Sequence, residues 1–413
     1  MVVRYIGMDV HRDFAQIAMV EDGVISDVGR VDCRPEALRT WISGLCSDDE
    51  VALEATGNSD AVAILLESVV ARVVVSNPVK TRAIAEANIK TDKVDARTLA
   101  QLLAADFLPP VWLPDERTRR LRRQTIRRAH LVRQRTRIKN QVQAILHRNL
   151  MPRPPVSDLF GTAGRRWLFR QDLPEDEHHA IGALLRQLDF LGSELVTADR
   201  ELAIEALADP VVRRLMTIPG VDAVVGVSVV AAVGDFGRFA SAEKLVAYLG
   251  LHPKIRQSGN QPASHGHITK SGRAQTRGML VEAAWVASRA PGPLRAFFNR
   301  IKARRGPQVA VVATARKLAV LCWHLTASGE DYAFARPSLV AFKQRKLALT
   351  AGAPRAHARR GPGYDYNDKQ LRRHEREVIE VAERAYETLI AGWQPRRPNH
   401  TSTAAFRGRS SGS

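Results

Sequence analysis

The sequence predicts two structural classes in one chain, an α/β region at the amino end and a mostly helical region after it. The first observation is that short apolar runs alternate with turn residues over roughly the first hundred residues. The second is that helical periodicity replaces this pattern after Pro114 and continues to about Leu325. The third is the length of 413 residues, which suits two or three domains of about 150 residues each.

The amino-terminal region, residues 1–114, begins with three predicted strands that are separated by short polar turns. They are the apolar runs Val2–Val10, Phe14–Val20 and Val24–Val28. Two further short strands, Val51–Leu53 and Val73–Val75, alternate with segments of helical character. Those segments are Pro35–Leu45, Asp60–Val70 and Asp92–Ala105. Successive strands followed by βα units indicate a mixed sheet with helices packed on it.

The next segment, residues 115–150, is strongly basic. Between Arg117 and Arg148 there are eleven Arg, one Lys and no Asp or Glu. The apolar residues in this run recur at helical spacing, which predicts one or two long basic amphipathic helices. If these cations only faced solvent, the helix would lack every stabilising i,i+4 salt bridge, because the run contains no acid. Contact with a nucleic-acid backbone is therefore favoured. The expected contacts are Arg119, Arg120, Arg123, Arg127, Arg133, Arg137 and Lys139.

Three more segments complete the chain. Residues 151–210 contain a helix whose apolar residues take heptad positions from Ile181 to Leu202, with Leu184 among them. This pattern suits a coiled coil, as a dimer or an intramolecular hairpin, or else a plain packed helix. Residues 211–335 are predicted to form a mostly helical domain. Residues 336–413 are rich in Arg, Gly, Pro and Ser, and we expect a partly disordered basic tail with one helix at about Asp368–Ile390.

Charge and composition restrict the class of function. The net charge of +19 favours a polyanionic partner, either nucleic acid or an acidic membrane surface. Three scattered cysteines without metal-ligand spacing indicate neither a disulfide scaffold nor a zinc module, and they suit a reducing cytosol. The sequence has no uninterrupted apolar run of about 20 residues, so it predicts no membrane span. The amino terminus lacks the pattern of a signal peptide.

Four carboxylates form the first candidate site. Asp9 and Glu54 each end a predicted strand, where open α/β sheets bind their ligands. Asp92 and Asp95 lie three residues apart and share one face of a predicted helix. Together the four could hold two Mg²⁺ ions about 3.5 to 4 Å apart, as phosphodiester chemistry requires. The alternative is structural, with Asp92 as a helix cap and Asp95 as a partner of the helix dipole.

A serine loop forms the second candidate site. Ser258 lies on a glycine-flanked loop among cationic residues that include Lys270 and Arg273. Cations stabilise both an alkoxide and the transition state of phosphoryl transfer, so Ser258 is a candidate nucleophile and the two cations are candidate phosphate contacts. An ordinary polar surface loop is the alternative.

A Pro-Gly turn at Ile218–Val221 precedes a helix of small residues. The turn is similar to that of a helix-hairpin-helix, whose backbone N–H groups contact a phosphate. A structural turn between two helices explains the same residues equally well.

Taken in order, these motifs resemble a single family. They are Gly7-Met8-Asp9-Val10, Leu53-Glu54-Ala55-Thr56-Gly57, Lys90-Thr91-Asp92-Lys93-Val94-Asp95-Ala96, the Arg-rich helix, Ile218-Pro219-Gly220, Tyr248-Leu249-Gly250-Leu251, Gln257-Ser258-Gly259 and His267-Ile268-Thr269-Lys270-Ser271-Gly272. Over about residues 1–330 the sequence resembles the bacterial insertion-sequence transposases of the DEDD class, whose amino domain is similar to RuvC-type Holliday-junction resolvases.

The resemblance implies an RNase H-like sheet whose metal-binding tetrad falls on Asp9, Glu54, Asp92 and Asp95. It also implies a coiled-coil insertion and a carboxyl domain in which Ser258 attacks a DNA phosphate to form a phosphoserine. The implied cofactor is Mg²⁺, as two ions. The implied partners are donor DNA, target DNA, a guide RNA encoded by the element and further copies of the chain in a dimer or tetramer, all in the bacterial cytoplasm. The tail after Pro337 lies outside the resemblance.

The predicted function is therefore that of a transposase that cuts and rejoins DNA. One alternative is a metal-dependent nuclease that resolves junctions with water as the nucleophile. Another is a non-catalytic nucleic-acid-binding protein on a degenerate nuclease fold. An actin-like sugar kinase would need a glycine-rich phosphate turn after Asp9, and Val10–Asp13 does not offer one.

Overall fold

The structure is a computed structural model that describes residues 3–85, 91–259, 262–355, 363 and 368–392. The chain divides into two compact units, Met1–Asp115 and Glu116–Ser413. Each unit has its own hydrophobic core. The finer division of the second unit at residues 150, 210 and 335 stays a prediction.

The first unit is a mixed sheet with helices packed on it, as the sequence predicts. Its strands are β1 (Tyr5–Val10), β2 (Phe14–Glu21), β3 (Val24–Asp32), β4 (Glu50–Glu54) and β5 (Arg72–Ser76). Its helices are α1 (Pro35–Ile42), α2 (Ser59–Glu67), α3 (Pro78–Ile84) and α4 (Asp92–Ala104). The strand order is β3-β2-β1-β4-β5. The β1-β2 and β2-β3 pairs are antiparallel, whereas β4 runs parallel to β1 and to β5.

Helix α3 is a correction to the sequence prediction, which has no helix between the strand Val73–Val75 and the segment Asp92–Ala105. The Asn77 side chain accepts hydrogen bonds from the backbone N–H groups of Val79 and Lys80, at 3.1 and 3.2 Å. Pro78 occupies the first turn, where its fixed backbone angle suits a helix and its missing N–H costs nothing. The same residues therefore end β5 and start α3.

Helix α4 lies directly on β1, and Gly7 permits this contact. A Cβ atom at Gly7 would lie 2.1 Å from the Ala96 carbonyl oxygen and 2.5 Å from the Ala100 nitrogen. Both distances are far below van der Waals contact, so any side chain at this position would push the helix away from the strand. The glycine thereby brings the first turn of α4 close to the carboxyl end of β1.

The second unit is mostly helical. It begins with α5 (Glu116–Arg148), α6 (Thr162–Leu168), α7 (Glu175–Ala208), α8 (Pro210–Leu215), α9 (Ala223–Val233) and α10 (Ala242–Tyr248). A two-stranded antiparallel sheet follows, formed by β6 (Pro253–Arg256) and β7 (Ser264–Ile268). The remaining helices are α11 (Ala274–Ala287), α12 (Pro293–Arg305), α13 (Pro307–Ser328), α14 (Pro337–Ala351) and α15 (Lys369–Ala391).

Helices α5 and α7 form a long antiparallel pair within the chain. Arg117 at the start of α5 pairs with Asp209 just beyond the end of α7, at 2.7 Å. Arg148 at the end of α5 pairs with Glu177 in the first turn of α7, at 2.5 Å. Of the alternatives left open by the heptad pattern, the structure shows the intramolecular one. Within that pattern Leu185 is buried, and the predicted core residue Leu184 is only half-buried.

Helices α9 and α13 form the apolar centre of this unit. Among the described residues one helix, α13, is long and apolar enough to cross a bilayer, by length and composition alone. Its residues Leu318 and Cys322 are fully buried in the core cluster, and the helix packs against α10, α11 and α12. A core helix of a globular unit passes the same test, so the apolar composition of α13 is accounted for by packing.

Helix α14 falls in the segment that the sequence predicts as a tail, and it is packed against α7. The Lys343 ammonium group donates hydrogen bonds to the backbone carbonyls of Met216, Ile218 and Val221, at 2.6, 2.8 and 2.9 Å. Helix α15 corresponds to the helix predicted at Asp368–Ile390. The disorder predicted elsewhere in this tail concerns mainly residues 356–362, 364–367 and 393–413, which lie outside the described residues.

Candidate functional site

The carboxyl ends of two neighbouring strands bring the first two carboxylates together. Strands β1 and β4 are parallel neighbours, and Met8 lies opposite Leu53 in their register. The next residue of each strand is therefore at the same level of the sheet, and these residues are Asp9 and Glu54. The sequence prediction that both acids lie at one edge of the sheet agrees with this arrangement.

Helix α4 supplies the other two carboxylates from its first turn. The side chain of Thr91 caps this helix by accepting a hydrogen bond from the Val94 backbone N–H, at 3.3 Å. The interpretation of Asp92 as the helix cap is therefore wrong, because Thr91 occupies that position. Asp92 and Asp95 are the first and fourth residues of the helix, and the charges of both act on Asp9.

His11 is a residue of this site that the sequence analysis misses. Its Nε2 atom lies 3.1 Å from an oxygen of Asp9 and 3.3 Å from an oxygen of Asp92. One ligand atom from each of these three residues lies within 4.8 Å of the other two, a spacing that can hold a metal ion. The Nε2 atom is buried and makes no well-aligned hydrogen bond. The sequence does contain a signal for His11, because it follows Asp9 by two residues, and residues two apart in an extended segment point to the same side.

Asp9 also lines a cleft of about 400 Å³ together with Glu54 and Asp95. Arg82 and Thr98 are among the other residues of its walls. Asp9 therefore belongs to two groups of ligand atoms, one with His11 and Asp92 and one in this cleft. The three carboxylates that line this cleft, with Asp92 in the other group, can accept divalent cations and the phosphate oxygens that such cations bind.

The pKa of Asp9 is raised above the usual value of an aspartate. Burial is the main cause, because only 8% of the residue is exposed. The negative charges of Asp95 and Asp92 raise the pKa further, and the nearby imidazole of His11 opposes them. A cation bound between these carboxylates would remove the repulsion, so the electrostatics of the site favour cation binding.

Asp92 also faces a cation from the sheet. The guanidinium group of Arg30 lies 3.4 Å from an Asp92 oxygen and 4.3 Å from the centre of the Phe14 ring. Stacking on the ring holds Arg30 on β3, next to the first turn of α4. Arg30 therefore offsets part of the negative charge on the Asp92 side of the site.

Ser258 lies in the connection between β6 and β7 and is exposed. The predicted loop around Ser258 is corrected to a β-hairpin, because β6 and β7 pair on either side of the serine. Residues 260 and 261 lie outside the described residues. Lys254 and Arg256 are exposed on β6, four and two residues before the serine.

Two glycines hold the base of this hairpin together. Gly250 and Gly272 have positive φ angles of +69° and +70°. A Cβ atom at Gly250 would lie 2.0 Å from the Ser271 carbonyl oxygen, and one at Gly272 would lie 2.1 Å from the Tyr248 carbonyl oxygen. The segments before β6 and after β7 therefore cross in backbone contact, which accounts for the glycines of both motifs.

The two predicted phosphate contacts near the serine differ in their surroundings. Lys270 is exposed, and its backbone has a positive φ of +57°. Arg273 is half-buried and interacts with the phenol of Tyr248. Burial alone would raise the pKa of Tyr248, but the hydrogen bond with Arg273 and the charges of Arg122 and Arg238 lower it. Lys270 is thus the more accessible of the two.

The cations of α5 fall into two groups that the sequence could not separate. Four of the predicted contacts pair with acidic residues. They are Arg119 and Arg123 with Glu116, Arg120 with Glu205, and Arg127 with Glu194 and Glu201. Arg133 and Arg137 are exposed and form no ion pair within the part of the chain that the structure describes. The Lys139 ammonium lies 4.7 Å from the centre of the Phe160 ring.

The turn at Ile218–Val221 has structural partners in place of a phosphate. Three carbonyl groups in and beside this turn accept hydrogen bonds from Lys343. The helix that follows is capped by Asp222, whose side chain accepts from the Val225 backbone N–H at 2.9 Å. An acidic cap repels a phosphate, so the structural interpretation of this motif is favoured.

Both candidate sites lie in segments that match known transposases. A transposase profile matches residues 6–151, and the profile of the IS116/IS110/IS902 transposase family matches residues 212–299. The chain is 29% identical to y4qE, a protein of Sinorhizobium fredii named as a transposase, over 68% of this chain and 71% of that protein.

Two other relatives are similar over shorter or more divergent alignments. The transposase for insertion sequence element IS1111A of Coxiella burnetii is 32% identical over 36% of this chain and 43% of its own length. The pilin gene-inverting protein of Moraxella bovis is 26% identical over 61% of this chain and 71% of its own length.

Proposed function

Because the chain belongs to the IS116/IS110/IS902 family of transposases, we propose that this DNA transposase cuts and rejoins DNA with Ser258 as nucleophile and the carboxylate site as metal centre. The observation that carries the proposal is the gathering of Asp9, Glu54, Asp92 and Asp95 at one edge of the sheet. A cap role for Asp92 does not account for it, because Thr91 caps α4, and Asp9 is buried at an energetic cost.

The donor atoms of the site fit a divalent cation. Asp9, His11 and Asp92 would hold one ion, and Asp9, Glu54 and Asp95 surround space for a second. Four carboxylates suit Mg²⁺, and the single imidazole nitrogen also suits Mn²⁺. A bound ion supplies charge that stabilises the transition state at the scissile phosphate. The residues of the chain orient that phosphate and fix the ligand atoms in place.

The serine step conserves the energy of the phosphodiester bond. The Ser258 oxygen forms a bond to phosphorus, the bond from phosphorus to the leaving deoxyribose oxygen breaks, and the serine proton passes to solvent or to that oxygen. Attack by a deoxyribose hydroxyl on the phosphoserine reverses these changes and rejoins the DNA. No nucleotide cofactor is needed, and Lys254, Arg256 and Lys270 supply positive charge on the same hairpin.

The first unit is proposed to be RNase H-like. Its strand order, with three antiparallel strands followed by two parallel ones, supports the assignment. The proposed partners are donor and target DNA, a guide RNA encoded by the element and further copies of the chain. The exposed cations of α5 offer a surface for the nucleic-acid backbone. The proposed location is the bacterial cytoplasm, where these partners are found.

The decisive experiment uses a plasmid that carries the ends of the insertion sequence. Wild-type protein is incubated with this DNA, the companion RNA transcript and Mg²⁺, and covalent protein-DNA adducts are measured on denaturing gels. We expect Ser258→Ala to abolish the adduct with DNA binding unchanged, and Asp9→Ala to abolish metal-dependent cleavage. Ser264→Ala, on β7 of the same hairpin, is the matched control and is expected to retain the adduct.

The other outcomes identify the rival functions. Full strand cleavage by the Ser258→Ala variant would establish a nuclease that uses water, and the serine mechanism would fail. Binding without cleavage by the wild-type protein would indicate a nucleic-acid-binding protein. RNA that co-purifies from the native host, when sequenced, tests the guide, since a guide must match the ends of the element.

A further inference from the structure

Helix α15 lies beyond both segments that match transposase families. It packs on the rest of the second unit through a face that carries buried carboxylates. Glu383 is buried and bonds to Arg295 at 2.7 and 2.6 Å and to the Gly292 backbone N–H at 3.1 Å. Glu375 is buried and accepts a hydrogen bond from the Ser338 backbone N–H at 2.8 Å. Carboxylates therefore fix this helix to its neighbours.

The apolar residues of α15 lie mainly on another face, which is open. Its large apolar side chains there have exposed fractions between 44% and 69%. They are Leu371, Val378, Val381 and Leu389. Six exposed positions alternate by three and four residues, which is the spacing of a coiled-coil seam, and we call them the stripe. They are Leu371, His374, Val378, Val381, Ala385 and Thr388, so four of the six are apolar, and Leu389 directly follows the last of them. Exposed apolar residues at this spacing, on a helix that is already anchored, indicate a surface for a partner helix.

We propose that α15 pairs with α15 of a second copy of the chain, in antiparallel orientation about a twofold axis. The stripe is symmetric about its centre between positions 379 and 380. In antiparallel register Val378 lies opposite Val381 of the partner, and His374 lies opposite Ala385. A twofold axis requires such a self-complementary surface, because each residue of a pair contacts the other residue in the second copy.

The charges beside the stripe select this partner and this orientation. Glu377 directly precedes the seam residue Val378, and Arg384 directly precedes the seam residue Ala385, one heptad later. In an antiparallel pair of helices, flanking residues of this kind from the two helices lie close together. Both are exposed, and neither forms an ion pair with another side chain of the described residues. In the antiparallel pair Glu377 faces Arg384 of the partner twice, by symmetry. In a parallel pair Glu377 would face Ala382, so the antiparallel arrangement is favoured.

The charge pattern allows a test that does not depend on damage to the fold. Glu377→Arg and Arg384→Glu each place like charges opposite one another, and we expect each to raise the dimer dissociation constant by about tenfold. The double variant Glu377→Arg with Arg384→Glu restores opposite charges and is expected to dimerise like the wild type. Sedimentation velocity of the full chain over a dilution series measures all four proteins.

A second pair of variants tests the apolar seam. We expect Val378→Glu with Val381→Glu to abolish the contact, while Arg373→Glu, an exposed change on the same helix away from the seam, leaves it intact. Circular dichroism and thermal unfolding show that each variant is folded. An oligomer that none of these changes affects, or a double charge swap that fails to restore association, would overturn the proposal.

Discussion

At the scale of single residues, the site depends on a contact that only glycine allows. A Cβ atom at Gly7 would collide with the backbone of α4 at Ala96. We expect Gly7→Ala to destabilise the protein by about 1–3 kcal/mol, in the range of overpacked cores, and to weaken Mn²⁺ binding because α4 moves away from β1. Chemical denaturation and Mn²⁺ electron paramagnetic resonance measure the two effects.

Gly57 provides the matched control for this change. It belongs to the neighbouring motif, yet a Cβ atom there would meet nothing within 4 Å. Gly57→Ala should leave stability and Mn²⁺ binding nearly unchanged. Equal effects of the two substitutions would show that the close approach of α4 to β1 does not position the carboxylates.

Asp9 is expected to lower the stability of the protein when no metal is present. Its pKa is raised in the folded state by burial and by the charges of Asp95 and Asp92, so the folded protein holds the proton more tightly than the unfolded chain does. Stability is therefore lost as pH rises from the usual range of an aspartate through the raised pKa. In EDTA, Asp9→Asn should raise the melting temperature at pH 7, and the gain should disappear at acid pH.

A lower melting temperature of the Asp9→Asn variant would contradict this expectation. A melting temperature of Asp9→Asn below that of the wild type at pH 7 in EDTA would mean that the contact with His11 outweighs burial and repulsion. Added Mg²⁺ should stabilise the wild type and have little effect on the variant, since the charged ligand is gone.

At the scale of elements, helix α5 combines a structural and a binding role in separate residues. We expect Arg133→Gln with Arg137→Gln to weaken nucleic-acid binding and to reduce the salt slope of the affinity by about 2, because both exposed cations would contact phosphates. Arg120→Gln with Arg127→Gln removes the same charge but breaks ion pairs with α7, so it should reduce the slope less and lower the melting temperature. Equal slopes for both pairs would contradict this division.

The sequence predicts elements well where the signal is local. The strands around Asp9 and Glu54 follow from apolar runs, and their shared edge follows from the βα order. The partners of the α5 cations could not be predicted, because Arg120 and Glu205 are 85 positions apart in the sequence and meet only after α5 and α7 have packed. Helix α3 escapes prediction because Asn77 serves as both a strand end and a helix cap. Tertiary contacts decide both cases.

At the scale of the whole molecule, the net charge of +19 is only partly available to a polyanion. Several arginines of α5 are neutralised by α7, and Arg295 is neutralised by Glu383 of α15. Other cations are exposed over both units, and those without an ion pair among the described residues include Arg133 and Arg137 on the second half of α5 and Lys254 and Arg256 on the hairpin that carries Ser258. These two surfaces of one unit suit a nucleic-acid backbone.

The division into two units makes a prediction about folding. Residues 1–115 contain a complete core around the sheet, and Leu113 packs against it. The segment before Leu113 also follows the edge of β5, where the Val111 backbone N–H donates to the Val75 carbonyl at 2.7 Å. An edge that the chain itself covers does not need a further strand.

We therefore expect a protein of residues 1–115 alone to fold. Its urea unfolding should be cooperative, with a free energy within the range of about 5 to 15 kcal/mol that is typical of single domains. It should also bind Mn²⁺ with the affinity of the full chain, because Asp9, His11, Glu54, Asp92 and Asp95 all lie within it. Cooperative unfolding with much weaker Mn²⁺ binding would mean that the second unit contributes a ligand. A non-cooperative transition would mean that the sheet and its four helices do not form an independent domain.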